Sequence, residues 1–155
     1  MQIILDEKEY LEIWDKVYAE YRFQREADEW LQLPLPHKKY RLRQLWTDEQ
    51  EQLVNSIFSR LCPQTMYALD WQHDCFLFSP AENIPQNYWF HDTERNCNVY
   101  FPCYYPNGDF HFFLSSDRQL GLFGHPWREE IYVMGNALIA EFDHMQDQLD
   151  LAECP

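Results

Sequence analysis

The chain has 155 residues and a formal net charge of −14, from 26 acidic and 12 basic side chains. Hydrophobic residues make up 46% of it and aromatic residues 17%, which excludes a disordered polymer and favours a globular fold with a real core. The acidity argues against binding to nucleic acid or to an anionic membrane, because both need cationic side chains. It favours a basic protein partner, although acidity also serves solubility alone.

The start of the chain and its cysteines predict a cytoplasmic protein. The segment "MQIILDEKEYLEIW" turns acidic by its sixth residue and lacks the basic region of a secretory signal. No apolar run approaches the roughly 20 residues that span a bilayer. The cysteines are odd in number and irregularly spaced, which favours reduced thiols over a disulfide framework. They are Cys62, Cys75, Cys97, Cys103 and Cys154.

Two amphipathic helices are predicted in the first 63 residues. Asp6 is a helix cap, and apolar residues at helical spacing extend the first helix from residue 6 to about residue 25. Thr47 and Gln50 form a capping box at the start of the second helix, and Pro63 ends it.

Between these helices, the segment "WLQLPLPHKKYRLRQLW" predicts an extended linker or loop, because it contains Pro34 and Pro36. Its "HKKYRLR" stretch (37–43) holds four of the twelve cations, whereas no Lys or Arg follows Arg128. We therefore expect a small basic spot on an otherwise acidic body.

From Thr65 the apolar period changes to about two, which predicts strands. "MYALDW" and "CFLFS" form a hairpin across "QHD", and a polar loop runs from Pro80 to about Asn96. "NVYFPCYY" and "DFHFFLS" form a second hairpin, because "PNG" between them contains the strong Asn-Gly turn signal. "QLGLFG" and "IYVM" are further strands, and a helix follows from about Asn136 to Leu149.

This order predicts one α+β domain over residues 1–155. It comprises a helical part (1–63), an antiparallel sheet of five to six strands (64–134) and a closing helix (135–150). The two N-terminal helices and the C-terminal helix are expected to pack on one face of the sheet.

Two segments carry a family resemblance. "ALDWQHDCFLFSP" (68–80) and "YPNGDFHFFLSSDRQLGLFGHPWREEIYVMGNALI" (105–139) resemble the bacterial family known as domain of unknown function 2716, over roughly the C-terminal two thirds of the chain. The resemblance implies a shared fold and no agreed activity. It marks motif positions of unknown role at Trp71, His73, Asp109, Asp117, Gly124, His125, Pro126 and Trp127.

Metal and catalytic patterns are weak. His73, Asp74 and Cys75 are consecutive and would point to alternate faces of a strand, so they are not expected to converge. Asp109 and His111 share a strand face and could hold a metal or form an acid–base pair. We expect no metal and no cofactor, and we assign no catalytic residue, because no nucleophile lies in a recognisable motif.

The leading hypothesis is a small binding protein, an immunity-type inhibitor that occludes a cationic, nuclease-like bacterial toxin. Aromatic anchors and acidic steering residues suit such an interface. The expected binding residues are Tyr88, Trp89, Phe90, Asp92 and Glu94, with the acidic last third as another source of contacts. The alternative is an enzyme with a His/Asp pocket where His73 and His125 meet at one end of the sheet. A structural role for both histidines, beside packed indoles, stays open.

Overall fold

In a computed structural model of the protein, which describes residues 1–23, 32–33 and 35–154, an eight-stranded antiparallel sheet is flanked by helices. The helices are α1 (Glu7–Tyr21), α2 (Asp48–Leu61) and α3 (Asn136–His144). The strands are β1 (Gln2–Ile3), β2 (His37–Leu42), β3 (Met66–Asp70), β4 (Cys75–Phe78), β5 (Trp89–Asp92), β6 (Cys97–Tyr100), β7 (His111–Ser115), β8 (Gly121–His125), β9 (Glu130–Met134) and β10 (Leu151–Glu153).

The large sheet has the order β1-β4-β3-β7-β8-β9-β2-β10, and β5 pairs with β6 as a separate hairpin. The α+β class is confirmed, but the expected five to six strands were too few. Strands β1, β2 and β10 come from outside the segment 64–134 and complete both edges of the sheet. Within the described residues, no helix combines the length and the apolar character needed to cross a bilayer.

Strand β2 lies in the segment that was predicted as a linker. Tyr40 and Leu42 are buried, and β2 is paired on both sides, with β9 and β10. The prolines precede the strand and do not interrupt its hydrogen-bond ladder. Part of the predicted linker, and the predicted end of the first helix near residue 25, lie outside the described residues.

The helices cover both faces of the sheet, and the expectation of a single covered face is wrong. Trp14, Val17 and Tyr21 of α1 pack on one face, against side chains that include Phe112 and Phe123. Helices α2 and α3 pack on the opposite face. The central strands β7 and β8 are therefore buried along their whole length, which explains their almost continuously apolar sequences.

Helix boundaries follow the local signals in part. Asp6 accepts a hydrogen bond from the Glu9 N–H, and both halves of the Thr47–Gln50 capping box are present. Helix α3 ends at His144, five residues earlier than predicted, because the chain turns there to reach β10. Its N-cap is Gly135 and not Asn136.

The hairpin predicted at "PNG" is wrong. Strand β6 pairs with β5, whereas β7 pairs with β3 and β8. Of the two turn residues only Gly108 takes a positive φ, +95°, so the required turn does not form. Tertiary packing determines the path instead: Tyr104 is buried and its ring lies 5.4 Å from that of Phe58 on α2. We refer to residues 101–110 as the crossing loop.

Candidate functional site

Two adjoining clefts share Asp70 and Tyr100 in their linings, and together they are called the Asp70 cleft below. The larger has a volume of about 580 Å³ and the smaller about 410 Å³. The larger is lined by Tyr10, Asp70, Gln72, His73, Asp74, Asn98 and Tyr100. The smaller is lined by Asp70, Asn87, Tyr88, Trp89, Tyr100, Phe101, Pro102, Cys103, Asn107 and His111.

Acidic and imidazole side chains meet in and beside this cleft: Asp70, His73 and His111 line it, and Asp109 lies next to His73. Asp70 ends β3, and the β3–β7 register sets it directly opposite His111. The tight turn after β3, with Gln72 at a φ of 64°, returns His73 towards Asp70. Asp109 lies in the crossing loop, two residues before β7 begins at His111, and approaches His73 from there. We call Asp70, His73 and Asp109 the floor cluster.

The distances within the floor cluster are short. His73 Nδ1 lies 3.2 Å from Asp70 Oδ1 and 3.7 Å from Asp109 Oδ2. One ligand atom from each of the three residues lies within 4.8 Å of the others. Behind them, His111 Nε2 lies 3.7 Å from Asp70 Oδ1. The arrangement can share a proton or hold a cation.

Burial disfavours the charged forms of Asp70 and His111. Burial raises the pKa of Asp70, although His111 and His73 act in the opposite direction. Burial also lowers the pKa of His111, although the Asp70 carboxylate and the hydrogen bond to the Cys103 carbonyl favour the charged imidazolium. His111 Nδ1 lies 2.9 Å from the Cys103 carbonyl oxygen, which assigns the proton to Nδ1 and directs Nε2 towards Asp70.

The crossing loop supplies that carbonyl and is fixed at two points. The buried Glu51 carboxylate accepts the backbone N–H groups of Tyr104 and Tyr105 at 2.9 and 2.8 Å. A Cβ at Gly124 would lie 2.6 Å from Pro106 Cβ, so glycine lets the loop pass over β8. This gives motif position Gly124 a structural role that supports the cleft.

The β5–β6 hairpin forms an aromatic wall of the cleft. Trp89 and Tyr100 are register partners, 54% and 59% exposed, with ring centroids 6.2 Å apart. Tyr88 is also exposed. We call these three residues the aromatic ridge.

The other three predicted binding residues, Phe90, Asp92 and Glu94, differ in burial and in their contacts. Phe90 is half-buried and packs towards the core. Asp92 accepts the N–H groups of Glu94 and Arg95 and bonds the Arg95 guanidinium at 2.6 Å, so it holds the hairpin turn. Arg95 also bonds Asp74 at 2.7 Å, which ties the hairpin to the rest of the protein. Glu94 is exposed.

Of the motif positions, only His73 and Asp109 belong to the floor cluster. The His125 ring packs edge-on against Phe110 and Trp127, and burial lowers its pKa to about 4. His125 lines neither of the two clefts described above, and the predicted pocket shared by His73 and His125 stays a prediction.

The other motif positions support the fold. Trp71 donates from Nε1 to the Tyr18 hydroxyl, and Asp117 accepts from Ser115 and Gln119 at the far end of β7. Pro126 and Trp127 lie in the turn between β8 and β9.

Sequence reasoning missed Asp70, His111 and Tyr100 as members of one site. His73 and Asp74 lie in the turn between β3 and β4 and line the same cleft, whereas Cys75 begins β4. The partners of His73 are Asp70, across this turn, and Asp109, from the crossing loop. The strand pattern indicated Asp109 with His111 as a possible metal pair, whereas the structure groups Asp109 with Asp70 and His73. The prediction that no metal binds stays a prediction.

Comparison with known proteins identifies the family. The family model described as "Protein of unknown function (DUF2716)" matches residues 4–139, and the chain belongs to this family. The chain is also similar to "Uncharacterized protein YxiI" of Bacillus subtilis (strain 168), with 40% identity over 79 residues. That match covers 51% of this chain and 44% of the Bacillus protein. No solved structure matches the chain.

Proposed function

We propose that the protein binds a basic protein partner through the aromatic ridge, as an immunity-type inhibitor that occludes a cationic bacterial toxin domain. The observation that carries this proposal is that the exposed Trp89–Tyr100 pair lines a cleft that also contains Asp70. Exposed Trp and Tyr are common interface anchors, because they bury a large area with few rotatable bonds.

The charge around the ridge supports a cationic partner. The cleft lining contains Asp70 and Asp74, and within the described residues it includes no Lys or Arg. Arg95 neutralises Asp74. Among the residues that the structure describes, the Asp70 and Asp109 carboxylates form ion pairs with histidines only. A basic side chain entering the cleft would meet these carboxylates beside aromatic rings, which also attract cations.

The acidic last third is less available for such contacts. Lys38 of the "HKKYRLR" stretch bonds both Asp143 and Glu153, and Arg60 bonds Glu141 at 2.7 Å. The expected basic spot is thus partly neutralised by the C-terminal acids. This pairing favours the ridge over the last third as the contact surface.

Binding to basic proteins encoded beside this gene tests the proposal. The double variant Trp89→Ala/Tyr100→Ala should bind the partner at least about 30-fold more weakly, since two interface anchors contribute roughly 2 kcal/mol or more. Leu45→Ala is the control, because Leu45 is an apolar side chain that is 59% exposed and lies outside the hairpin. Failure to capture any such basic protein at low salt, or equal affinity of the ridge variant, would overturn the proposal.

An acid–base enzyme using the same cleft is the second candidate. It is favoured by one observation: the Asp70 carboxylate, which is mostly shielded from solvent and has a raised pKa, contacts two histidines in a cleft. Release of nitrophenol from p-nitrophenyl acetate and p-nitrophenyl phosphate provides a first assay. Turnover that Asp70→Asn abolishes and His91→Ala preserves would support this candidate. No turnover above buffer, or equal rates in Asp70→Asn, would contradict it for these two ester classes.

A further inference from the structure

We propose that Asp70, His73 and Asp109 bind one divalent transition-metal ion, of the Zn²⁺ or Mn²⁺ class, at the floor of the Asp70 cleft. Two carboxylates and one imidazole form a donor set that suits these ions. The inference does not rest on the proposed partner, because metal binding is a property of the protein alone.

The first support is the geometry of the floor cluster. Donor atoms bonded to one ion at about 2.0–2.2 Å lie roughly 3.0–3.5 Å from each other. His73 Nδ1 is already 3.2 Å from Asp70 Oδ1 and 3.7 Å from Asp109 Oδ2, so small side-chain rotations complete the site.

The second support is the shortage of positive charge. Asp70 and Asp109 are both mostly shielded from solvent, and within the described residues neither forms an ion pair with a Lys or Arg. Asp109 Oδ1 accepts the Phe110 backbone N–H at 2.8 Å, but this neutral donor does not cancel the negative charge. A divalent ion between them would offset both charges.

The position of the site leaves room for a ligand on the ion. His73 is 61% exposed and the cleft opens above it. Three protein donors leave at least one coordination position for water or for a group that enters the cleft, which is the pattern of metal sites that act on ligands.

Titration calorimetry of the metal-stripped protein tests the inference. One equivalent of Zn²⁺ or of Mn²⁺ should bind at the same site. His73→Ala, Asp70→Asn and Asp109→Asn should each weaken this binding by at least about tenfold. His73→Ala carries most weight, because an exposed side chain can be removed without unfolding the protein. Mn²⁺ separates the site from thiols, since carboxylates suit Mn²⁺ better than cysteine does.

The matched control is His91→Ala, which removes an exposed histidine on the hairpin outside the cluster. It should retain wild-type binding. Absence of saturable binding by either ion would overturn the inference, as would wild-type affinity in folded His73→Ala. Loss of metal binding would leave the partner proposal standing, because that proposal is tested with ridge variants that keep the floor cluster.

Discussion

Glu51 shows how one buried carboxylate positions the cleft from a distance. It accepts two backbone N–H groups of the crossing loop, and this loop presents the Cys103 carbonyl to His111. Burial raises the pKa of Glu51 to about 7, although the N–H groups of Tyr104 and Tyr105 favour its charged form. The residue therefore links the stability of the loop to pH.

The raised pKa of Glu51 predicts a specific pH dependence. The folded protein holds this proton more tightly than the unfolded chain, so the free energy of unfolding falls as pH rises from 4.5 to about 7. Urea denaturation should show that wild type loses about 3 kcal/mol relative to Glu51→Gln across this range. The exposed Glu7→Gln serves as control and should not change the wild-type profile. A constant difference between wild type and Glu51→Gln would contradict the assignment.

Asp92 and Glu94 are close in sequence but differ in role. Asp92 holds the hairpin turn through two N–H groups and the Arg95 guanidinium, whereas Glu94 is exposed. Asp92→Ala should therefore accelerate amide hydrogen exchange over residues 93–96, as measured by NMR. Glu94→Ala should leave that exchange unchanged. Equal exchange in the two variants would show that the Asp92 bonds do not order the turn.

At the scale of elements, helix α1 covers the sheet face opposite to α2 and α3, so that both faces carry helices. Trp14 on its buried side meets Phe112 edge-on, with ring centroids 6.0 Å apart, and Phe112 lies 4.4 Å from Phe123. The helix thus covers a layer of aromatic side chains on the central strands.

Removing the Trp14 side chain should expose this layer and leave a cavity. We expect Trp14→Ala to lower the free energy of unfolding by about 3–5 kcal/mol in urea denaturation. Leu11→Ala is on the same helix but exposed, and should change it by less than about 0.5 kcal/mol. Similar small effects from both variants would mean that α1 does not pack on the sheet as described.

The elements that could be predicted from the sequence are those with local signals. The Thr47–Gln50 capping box and the tight turn between β3 and β4 are each set by residues close in the chain. Strands β2 and β10 pair with distant partners, and the "PNG" hairpin was overridden by burial of Tyr104 against α2. Pairing and burial of this kind depend on the whole fold, which single-sequence patterns do not contain.

The candidate site likewise contains residues that local sequence signals identify and residues that only the whole fold brings together. The hairpin aromatics Tyr88 and Trp89 could be selected from sequence as exposed anchors, because they lie in a polar segment. The floor cluster could not, because it depends on the register that sets Asp70 opposite His111. The quoted "DWQH" and "PNGD" segments meet only once β3 and β7 pair.

At the scale of the whole molecule, the net charge of −14 should influence how quickly a partner arrives. Exposed charges are screened over about 30 Å at 0.01 M salt and about 3 Å at 1 M. The association rate with a basic partner should fall at least about tenfold across this range, whereas dissociation changes less because packed aromatics hold the complex. Surface plasmon resonance measures both rates. A salt-independent association rate would mean that the acidity does not steer binding.

The central claim is that the partner covers the β5–β6 hairpin and the Asp70 cleft beneath it. Hydrogen–deuterium exchange of the complex with its basic partner measures this most directly. We expect slower exchange over residues 88–92 and 97–101 and in the turn at 71–74, with the α3 and β10 segments unchanged. Protection confined to α3 and β10, with the hairpin exchanging as in the free protein, would contradict it.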